Sequence, residues 1–237
     1  MKICIVGNGS SVLKNKNGRF INSCDCVVRL KQFKISGYEH HVGDKTDIYA
    51  SKWFSWFENK PPYAPKNMNH VKHASKFWFT FCDPVSCTVD HDNVYLERYI
   101  QYGLKNNTPE KNGDIKKHNE YIKLFSLEHA NINYISTRTI VKLAEQLSLS
   151  DQLIYDKMSN PGVKEPSTGM CAIMMALDTY PNDQIYITGF DSFLNSSWYW
   201  DDSHRINPTC HDYLKERLLI TRLIHKKYII NIDDGML

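Results

Sequence analysis

The sequence predicts an α/β fold in which a mostly parallel, twisted sheet is flanked by helices. Short apolar runs alternate with amphipathic segments along the chain, an order typical of strands and helices that build a parallel sheet. The first run, residues 3–6, is almost wholly apolar, as expected for a central strand covered on both faces. The chain has 237 residues and no internal repeat. It therefore predicts one domain over residues 1–237 with a sizeable core.

Seven strands are predicted from short runs rich in apolar, β-branched or aromatic residues. In chain order they are residues 3–6, Cys26–Leu30, residues 46–50, 76–81 and 131–136, Gln184–Thr188, and residues 228–232. Three longer segments predict helices: residues 137–147, a buried helix at 169–177, and an amphipathic helix at 211–226.

Two stretches interrupt the alternation of strands and helices. Residues 84–130 are polar but contain amphipathic pieces, so we predict a helical insertion within the same domain. Residues 192–210 have a loop-like composition, and we predict that they form a flexible lid.

Composition excludes several classes of function. The net charge of +3 is too small to indicate nucleic-acid binding, although it suits an anionic substrate or a lipid surface. No apolar run approaches the roughly 20 residues of a membrane span, and the first strand leaves no room for a signal peptide. The seven cysteines are scattered, form no CxxC pair and often lie in apolar runs. This pattern predicts reduced thiols in a cytoplasmic protein and no zinc site.

The candidate site residues follow the predicted strands, because ligands of open α/β sheets bind beyond the carboxyl ends of the strands. They are Gly7, Asn8, Gly9, Ser10, Arg29, Lys31, Gln32, Ser51, Gly189 and Asp191. The first turn lacks the third glycine of GxGxxG and the Gly-Lys-Ser/Thr of a P-loop. A nicotinamide or ATP site is therefore not indicated. The Asn8 amide can donate and accept, which suits a phosphate or a ribose, but a turn that only requires small residues is the alternative.

Two helix starts carry further candidates. Ser167 or Thr168 can cap the helix that follows Pro166, and Gly169 would allow a ligand to approach its N-terminus; an ordinary capped core helix is the alternative. His211 lies at the start of the last predicted helix. The positive end of a helix favours the neutral imidazole, which can accept a proton as a general base. A solvent-exposed histidine is the alternative there.

Together these stretches resemble the motifs of the sialyltransferases, both the animal-type family and the bacterial lipo-oligosaccharide family. Residues 5–11, 25–30, 37–39 and 42–47 look like the large sialylmotif, and residues 166–170 through 187–191 look like the small one. His211 and Glu216, separated by four residues, match the very small motif. Residues 198–201, Trp-Tyr-Trp-Asp, are similar to the third, aromatic motif. The four matches occur in the family's order, whereas residues 52–165 match little.

The resemblance implies a sialyltransferase-type, GT-A-like nucleotide-binding domain that uses a CMP-activated nonulosonic acid such as CMP-sialic acid. The turn residues Gly7 to Ser10, with Arg29, Lys31 and Gln32, would contact the donor, as would Ser167, Thr168, Gly169 and Asp191. His211 would be the general base, supported by Glu216, and the anomeric carbon would be inverted in one displacement. Tyr199 and His204 would donate hydrogen bonds to the leaving phosphate. No metal or other cofactor is implied.

The chain departs from the family pattern at three places. Lys31 stands where the family usually has asparagine, and it could meet a phosphate or mark a different donor, such as a Kdo, legionaminic or pseudaminic acid nucleotide. Trp198 stands where the animal-type third motif begins with histidine. Residues 90–92 (Asp-His-Asp) imitate the DxD motif of metal-dependent glycosyltransferases, but no metal is expected in this family.

The function predicted from the sequence is transfer of a sialic-acid-like sugar from its CMP conjugate to a hydroxyl of a galactoside-type glycan or glycolipid. We expect a bacterial surface glycan as the context, and cytoplasmic location with peripheral association at the inner membrane. The aromatic run at residues 53–57 is either core packing, an acceptor platform or a membrane-facing patch. The alternatives are a CMP-Kdo or other nonulosonate transferase and a nucleotide-binding module without catalysis. No nucleic-acid partner is expected, and the oligomeric state is not predicted.

Overall fold

The computed structural model describes residues 1–51, 74–80, 131–147, 166–191, 198–201 and 211–234. The strands are β1 (Lys2–Val6), β2 (Cys26–Leu30), β3 (Ile48–Ser51), β4 (Lys76–Phe79), β5 (Ile132–Tyr134), β6 (Gln184–Thr188) and β7 (Ile230–Asn231). The helices are α1 (Gly18–Ser23), α2 (Glu39–Val42), α3 (Thr137–Gln146), α4 (Thr168–Thr179) and α5 (Tyr213–His225), with a 3-10 helix at Ser10–Lys14.

The described strands form one seven-stranded sheet in the order β5-β4-β3-β2-β1-β6-β7. All six described strand pairings are parallel. β1 lies between β2 and β6, and Ile3 is paired with Cys26 on one side and Ile185 on the other. The predicted α/β class with a parallel sheet is therefore confirmed, and the almost wholly apolar β1 lies in the sheet interior.

Each face of the sheet is covered by its own apolar cluster, because successive strand residues point to opposite faces. Ile3 and Ile5 of β1 pack in the cluster that contains the buried residues of α3, α4 and α5. Cys4 and Val6 pack on the other face with residues of the 3-10 helix, α1 and α2. The sheet is thus the middle layer between two layers of helices.

The structure corrects several predicted boundaries. α4 begins at Thr168 with Ser167 as its N-cap, and α5 begins at Tyr213 with Asp212 as its N-cap. His211 therefore precedes the helix and is not part of it, contrary to the prediction of a helix over residues 211–226. The 3-10 helix, α1 and α2 were not predicted, and strands β3, β4, β5 and β7 are shorter or shifted relative to the predicted runs.

Four predictions lie outside the described residues wholly or in large part. The helical insertion at residues 84–130, the aromatic run at 53–57 and the Asp-His-Asp at 90–92 all fall there, and of the lid at 192–210 only residues 198–201 are described. Among the helices in the described ranges, none has the length and apolar character required to cross a membrane.

Candidate functional site

Two glycine turns meet at the carboxyl ends of β1 and β6, and we call residues 7–11 and 189–191 together the rim. The Gly7 N–H donates to the Thr188 carbonyl at 2.8 Å, and the Gly9 N–H donates to the Gly189 carbonyl at 3.0 Å. A Cβ at Gly7 would lie 2.5 Å from the Gly189 carbonyl oxygen. Gly189 has φ +73°, a conformation that L side chains rarely adopt. The backbones therefore meet at a separation that only glycine allows.

Asn8 joins the rim to the end of β2. Its Nδ2 donates to the Leu30 carbonyl at 3.1 Å and to the Gln32 carbonyl at 2.7 Å. Because both partners are carbonyl oxygens, the amide nitrogen must face them, and this fixes the orientation of the amide. Its Oδ1 is buried and has no hydrogen-bond partner. The part of Asn8 that remains for a ligand is thus a hydrogen-bond acceptor.

Asp191 connects the two turns of the rim. Its Oδ2 lies 3.3 Å from both the Ser10 hydroxyl and the Ser11 backbone N–H, which donate to it at the start of the 3-10 helix. A Cβ at Gly9 would lie 2.3 Å from Asp191 Oδ1. The structure thus brings together Gly7, Asn8, Gly9, Ser10 and Asp191, as the sequence predicted.

Most of the Arg29 guanidinium is bound within the protein. The residue is fully buried within β2, and its Nε donates to the Lys45 carbonyl and the Thr46 hydroxyl, both at 3.0 Å. Its Nη2 donates to the Val42 carbonyl at 2.8 Å. The guanidinium therefore joins β2 to the segment between α2 and β3, while its Nη1 is buried without a hydrogen-bond partner. The predicted donor contact of Arg29 stays a prediction.

The two residues predicted with Arg29 do lie beside Asn8. Lys31 has φ +48°, and its N–H donates to the Ala50 carbonyl at 2.9 Å. Gln32 contributes its backbone carbonyl to Asn8, as described above. The sharp turn at Lys31 follows the end of β2 directly and brings the Gln32 carbonyl to the Asn8 amide.

The described part of the predicted lid pairs with the rim. Trp198 forms an antiparallel bridge with Gly9, and the Tyr199 N–H donates to the Asn8 carbonyl at 2.9 Å. The rings of Trp198 and Trp200 have centroids 4.8 Å apart. Residues 198–201 therefore lie against the turn that follows β1.

The Tyr199 hydroxyl is used within the protein. It donates to the Lys34 carbonyl and lies 3.1 Å from the Lys34 N–H, which donates to it. The side chain is 5% exposed, and its burial raises the pKa of the hydroxyl to about 12. The hydroxyl therefore holds residues 198–201 against the segment after β2, and this corrects its predicted role as a phosphate contact. His204 lies outside the described residues.

The N-terminus of α4 is bound by Glu216 of α5. Ser167 donates its backbone N–H to Glu216 Oε1 at 2.7 Å and its hydroxyl to Oε2 at 2.6 Å. The same hydroxyl accepts the Met170 N–H at 3.2 Å. Glu216 is 4% exposed. The positive end of α4 thus already has an anion, the protein's own carboxylate.

Thr168 and Gly169, which follow Ser167, differ in whether a ligand could contact them. The Thr168 hydroxyl oxygen is buried without a hydrogen-bond partner. A Cβ at Gly169 would lie 2.8 Å from Cε1 of Phe190, so this glycine accommodates the Phe190 ring. The space beside Gly169, where a ligand was expected to approach, is therefore occupied by the Phe190 ring.

His211 directly precedes the N-cap of α5. Asp212 Oδ1 accepts the Lys215 N–H at 3.2 Å, which fixes the start of the helix. The half-buried His211 ring meets the Tyr213 ring edge to face, with the centroids 5.7 Å apart. Glu216, which the sequence assigned to the support of His211, is connected by its carboxylate to Ser167 and belongs to the first turn of the helix that His211 precedes.

Asp233 is a site residue that the sequence did not predict. It is 5% exposed, and its carboxylate accepts hydrogen bonds from the Ser11 hydroxyl, the Thr188 hydroxyl and the Gly189 N–H. No motif marks it, because its partners lie far away in the sequence. The only local signal is its place just after the last predicted strand.

Three buried polar atoms without hydrogen-bond partners lie in the segments that meet here: Asn8 Oδ1, Thr168 Oγ1 and Trp200 Nε1. Buried polar atoms in native proteins almost always have partners, and a bound ligand is one explanation for exceptions. In the described part of the chain, no group of three or more His, Cys, Asp or Glu side chains is placed to hold a metal ion. The expectation of metal-independent chemistry stays a prediction.

Comparison with known proteins identifies the family. The model of glycosyltransferase family 29, the sialyltransferases, matches residues 1–228. The type 2 lactosamine alpha-2,3-sialyltransferases of Homo sapiens and Pan troglodytes are 27% identical over 246 residues, which cover 98% of this chain and 65% of theirs. The rat protein is also 27% identical and is matched by 99% of this chain. The chain therefore spans about two thirds of the length of these relatives.

Two crystal structures of a mammalian sialyltransferase share the fold. One, in complex with Gal-beta-1-3GalNAc-ortho-nitrophenol, has a TM-score of 0.53 at 18% identity and is covered over 69% of its length by 98% of this chain. The other has a TM-score of 0.52 at 19% identity. These relatives are mammalian and do not address the expected bacterial origin, which stays a prediction. From the family match over residues 1–228, the chain belongs to glycosyltransferase family 29, the sialyltransferase family.

Proposed function

We propose that this protein transfers sialic acid, or a closely related nonulosonic acid, from its CMP conjugate to a hydroxyl of a galactoside-type glycan. The observation that carries the proposal is the meeting of three family motifs at one edge of the sheet. Residues 198–201 pair with the β1 turn, and the start of α4 lies against Phe190 and the end of β2, since a Cβ at Gly169 would lie 2.8 Å from Phe190 Cε1 and 3.6 Å from Leu30 Cδ1. Each of these three segments has one unpartnered buried polar atom. The names of both a relative and a structural neighbour include galactose-containing glycans, which supports the acceptor class.

Asn8 would recognise the nucleoside part of the donor. Its amide nitrogen is used by two backbone carbonyls, so Oδ1 remains. An acceptor oxygen suits a ribose hydroxyl or the amino group of cytosine, whereas a phosphate at neutral pH has no proton to donate to it. Of the two Asn8 ligands expected from the sequence, a phosphate or a ribose, the structure therefore favours the ribose.

The groups that meet the phosphate and the sugar carboxylate would come from other positions. Thr168 has a buried hydroxyl that can donate, and Lys31 supplies a point charge beside the Asn8 site. Trp200 carries an unpartnered indole N–H on the segment that pairs with the β1 turn. Ser167 would act indirectly, because its hydroxyl and N–H are used by Glu216.

His211 would be the general base. It would accept the proton of the acceptor hydroxyl as that oxygen attacks the anomeric carbon, while the bond from this carbon to the phosphate oxygen of CMP breaks. One displacement of this kind inverts the anomeric configuration. CMP leaves as a phosphate monoester, so stabilisation of its charge is more important than a strong acid. No metal is required by this scheme.

The experiment compares the wild-type protein with His211→Ala, using His225→Ala as the matched control. His225 is an exposed histidine in the last turn of α5, the helix that His211 precedes. Each protein is incubated with CMP-N-acetylneuraminic acid and N-acetyllactosamine in EDTA, and CMP release and the mass of the coupled product are followed. We expect metal-independent product from the wild type and His225→Ala, and a loss of about 10²–10⁴-fold in kcat for His211→Ala.

The possible outcomes separate the parts of the proposal. CMP binding without turnover would direct the search to CMP-Kdo, legionaminic and pseudaminic acid donors, as Lys31 suggests. CMP binding without turnover on any such donor would favour a nucleotide-binding module. Failure of the wild type to bind CMP would overturn the proposed function. The cytoplasmic, membrane-peripheral location stays a prediction, which fractionation of cells that produce the protein would test.

A further inference from the structure

A buried carboxylate lies directly beneath the rim, and neither the family motifs nor the proposed mechanism uses it. Asp233 follows β7, and the Ile232 N–H still donates to the Ile187 carbonyl at 3.0 Å. The chain therefore runs parallel to β6 as far as its carboxyl end, which brings the side chain of Asp233 under Gly189. The match to the family model ends at residue 228, so Asp233 lies beyond it.

The carboxylate connects both turns of the rim. Its Oδ2 accepts the Ser11 hydroxyl at 2.7 Å and the Gly189 N–H at 2.8 Å, and its Oδ1 accepts the Thr188 hydroxyl. Hydrogen bonds to a buried carboxylate are stronger than those between neutral groups. Three donors from the β1 and β6 sides thus share one anion.

The Gly189 peptide is held from both sides as a result. Asp233 accepts its N–H, and its carbonyl accepts the Gly9 N–H at 3.0 Å. The neighbouring backbone of Asp233 is also fixed, because its carbonyl accepts Asn15 Nδ2 at 2.7 Å. The contact with Asp233 therefore stabilises the relative position of Gly9 and Gly189, and hence of Asn8 between Gly7 and Gly9, in addition to their direct hydrogen bond.

We propose that Asp233 is a positioning residue for donor binding: it fixes the geometry of the two glycine turns that receive the nucleotide, without touching the nucleotide itself. The inference rests on the proposed function, because it takes CMP as the ligand of the rim. Loss of the carboxylate leaves three buried donors without an acceptor. The two turns are then joined only by their direct backbone hydrogen bonds and by Asp191, so their geometry is less firmly fixed. Donor binding weakens, whereas acceptor binding and the base at His211 are not directly affected.

The test measures CMP binding by calorimetry, and the KM values of donor and acceptor, for Asp233→Ala, Asp233→Asn and Asp234→Asn. Asp234 is the matched control, since this exposed neighbour binds only Asn231 Nδ2 among its described contacts, at 2.9 Å. For Asp233→Ala we expect the CMP Kd and the donor KM to rise about tenfold or more, with the acceptor KM within about twofold of wild type. Asparagine can keep one oxygen for Ser11 and Gly189 and donate to Thr188, so Asp233→Asn should stay within about threefold of wild type. Asp234→Asn should match the wild type.

The results that overturn the inference are specific. A folded Asp233→Ala protein with the wild-type Kd for CMP would do so, and so would an equal rise in both KM values, which indicates a general loss of structure. If Asp233→Ala does not fold, Ser11→Ala removes a single donor and should raise the Kd about threefold; an unchanged Kd in that variant overturns the inference. Failure of the wild type to bind CMP would overturn the proposed function as well, so the two failures are distinguishable.

Discussion

The carboxylate of Glu216 accepts both hydrogen-bond donors of Ser167, its backbone N–H and its hydroxyl. The two residues belong to different motifs: Ser167 caps α4, and Glu216 lies in the first turn of α5, just after His211. The proposed base and the helix that begins at the proposed donor site are thereby connected through one buried residue pair. Glu216, the glutamate of the very small motif, thus binds Ser167 of the small motif.

Removal of this carboxylate should destabilise the protein. Glu216→Ala leaves the buried N–H and hydroxyl of Ser167 without an acceptor, and we expect the free energy of unfolding to fall by about 1–3 kcal/mol. Urea denaturation measures the change, with Glu145→Ala on the exposed side of α3 as the control. A Glu216→Ala protein as stable as Glu145→Ala would show that the pair contributes nothing.

Two glycines with positive φ allow the cost of backbone strain to be measured apart from the cost of steric overlap. A Cβ at Gly189 (φ +73°) would lie 2.7 Å from both the Gly7 carbonyl oxygen and Val12 Cγ1, whereas a Cβ at Gly37 (φ +85°) would meet nothing within 4 Å. We expect Gly37→Ala to cost about 1–2 kcal/mol from its conformation alone. Gly189→Ala should cost about 3 kcal/mol or more, since overlap adds to strain. Equal costs in urea denaturation would contradict the close approach at the rim.

Replacing Asn8 with aspartate should destabilise the protein more than replacing it with alanine. Asn8→Asp places a carboxylate against the Leu30 and Gln32 carbonyls, which now receive a donor from Nδ2. We expect the free energy of unfolding to fall by about 2 kcal/mol or more, and by less in Asn8→Ala, which introduces no charge. CMP should bind weakly to both variants. Asn182→Asp, at an exposed turn, is the control, and stability of Asn8→Asp above that of Asn8→Ala would contradict the assigned amide orientation.

Tyr199 should make stability depend on pH in the alkaline range. Its pKa is raised to about 12 in the folded protein by burial, whereas in the unfolded chain it is about 10. Between these values the folded state keeps a proton that the unfolded state has lost. The stabilising contribution is therefore complete below about pH 10 and decreases as the pH rises towards 12, by about 2–3 kcal/mol in total.

Denaturation of the wild type and Tyr199→Phe at pH 8, 10 and 11 measures this effect. The wild type should be the more stable protein at pH 8, because its hydroxyl binds the Lys34 backbone, and its advantage should shrink as the pH rises. Tyr228→Phe, at a tyrosine that is 57% exposed, is the control and should differ little from the wild type. A difference between wild type and Tyr199→Phe that stays constant with pH would contradict the raised pKa.

The strands of the central sheet could be predicted because strands buried on both faces are nearly continuous apolar runs in the sequence. β2 and β6 have the predicted bounds, and β1 differs only at Lys2. The 3-10 helix, α1 and α2 could not be predicted in the same way, since four to six residues are too few to show a helical period. Their stability comes from tertiary contacts.

The spatial grouping of the candidate site residues could be predicted where a turn follows a strand, but not where a side chain has a distant partner. Gly7, Asn8, Gly9 and Asp191 lie together because parallel strands end at one edge. The sequence does not show that Arg29 faces the carbonyls of Val42 and Lys45, or that Tyr199 binds Lys34. Such contacts depend on how the loops are folded, and residue spacing carries no information about that.

The place of β1 in the sheet also sets an order of assembly. Its partner β2 begins at Cys26, but its other partner, β6, begins only at Gln184, and Asp233 comes later still. During synthesis the apolar β1 thus has one unpaired edge until most of the chain has left the ribosome. Pairings between such distant segments form slowly and leave apolar strands open to aggregation. The edge that carries the rim is therefore among the last parts of the molecule to form, and yields of soluble protein should be governed by how fast β6 reaches β1.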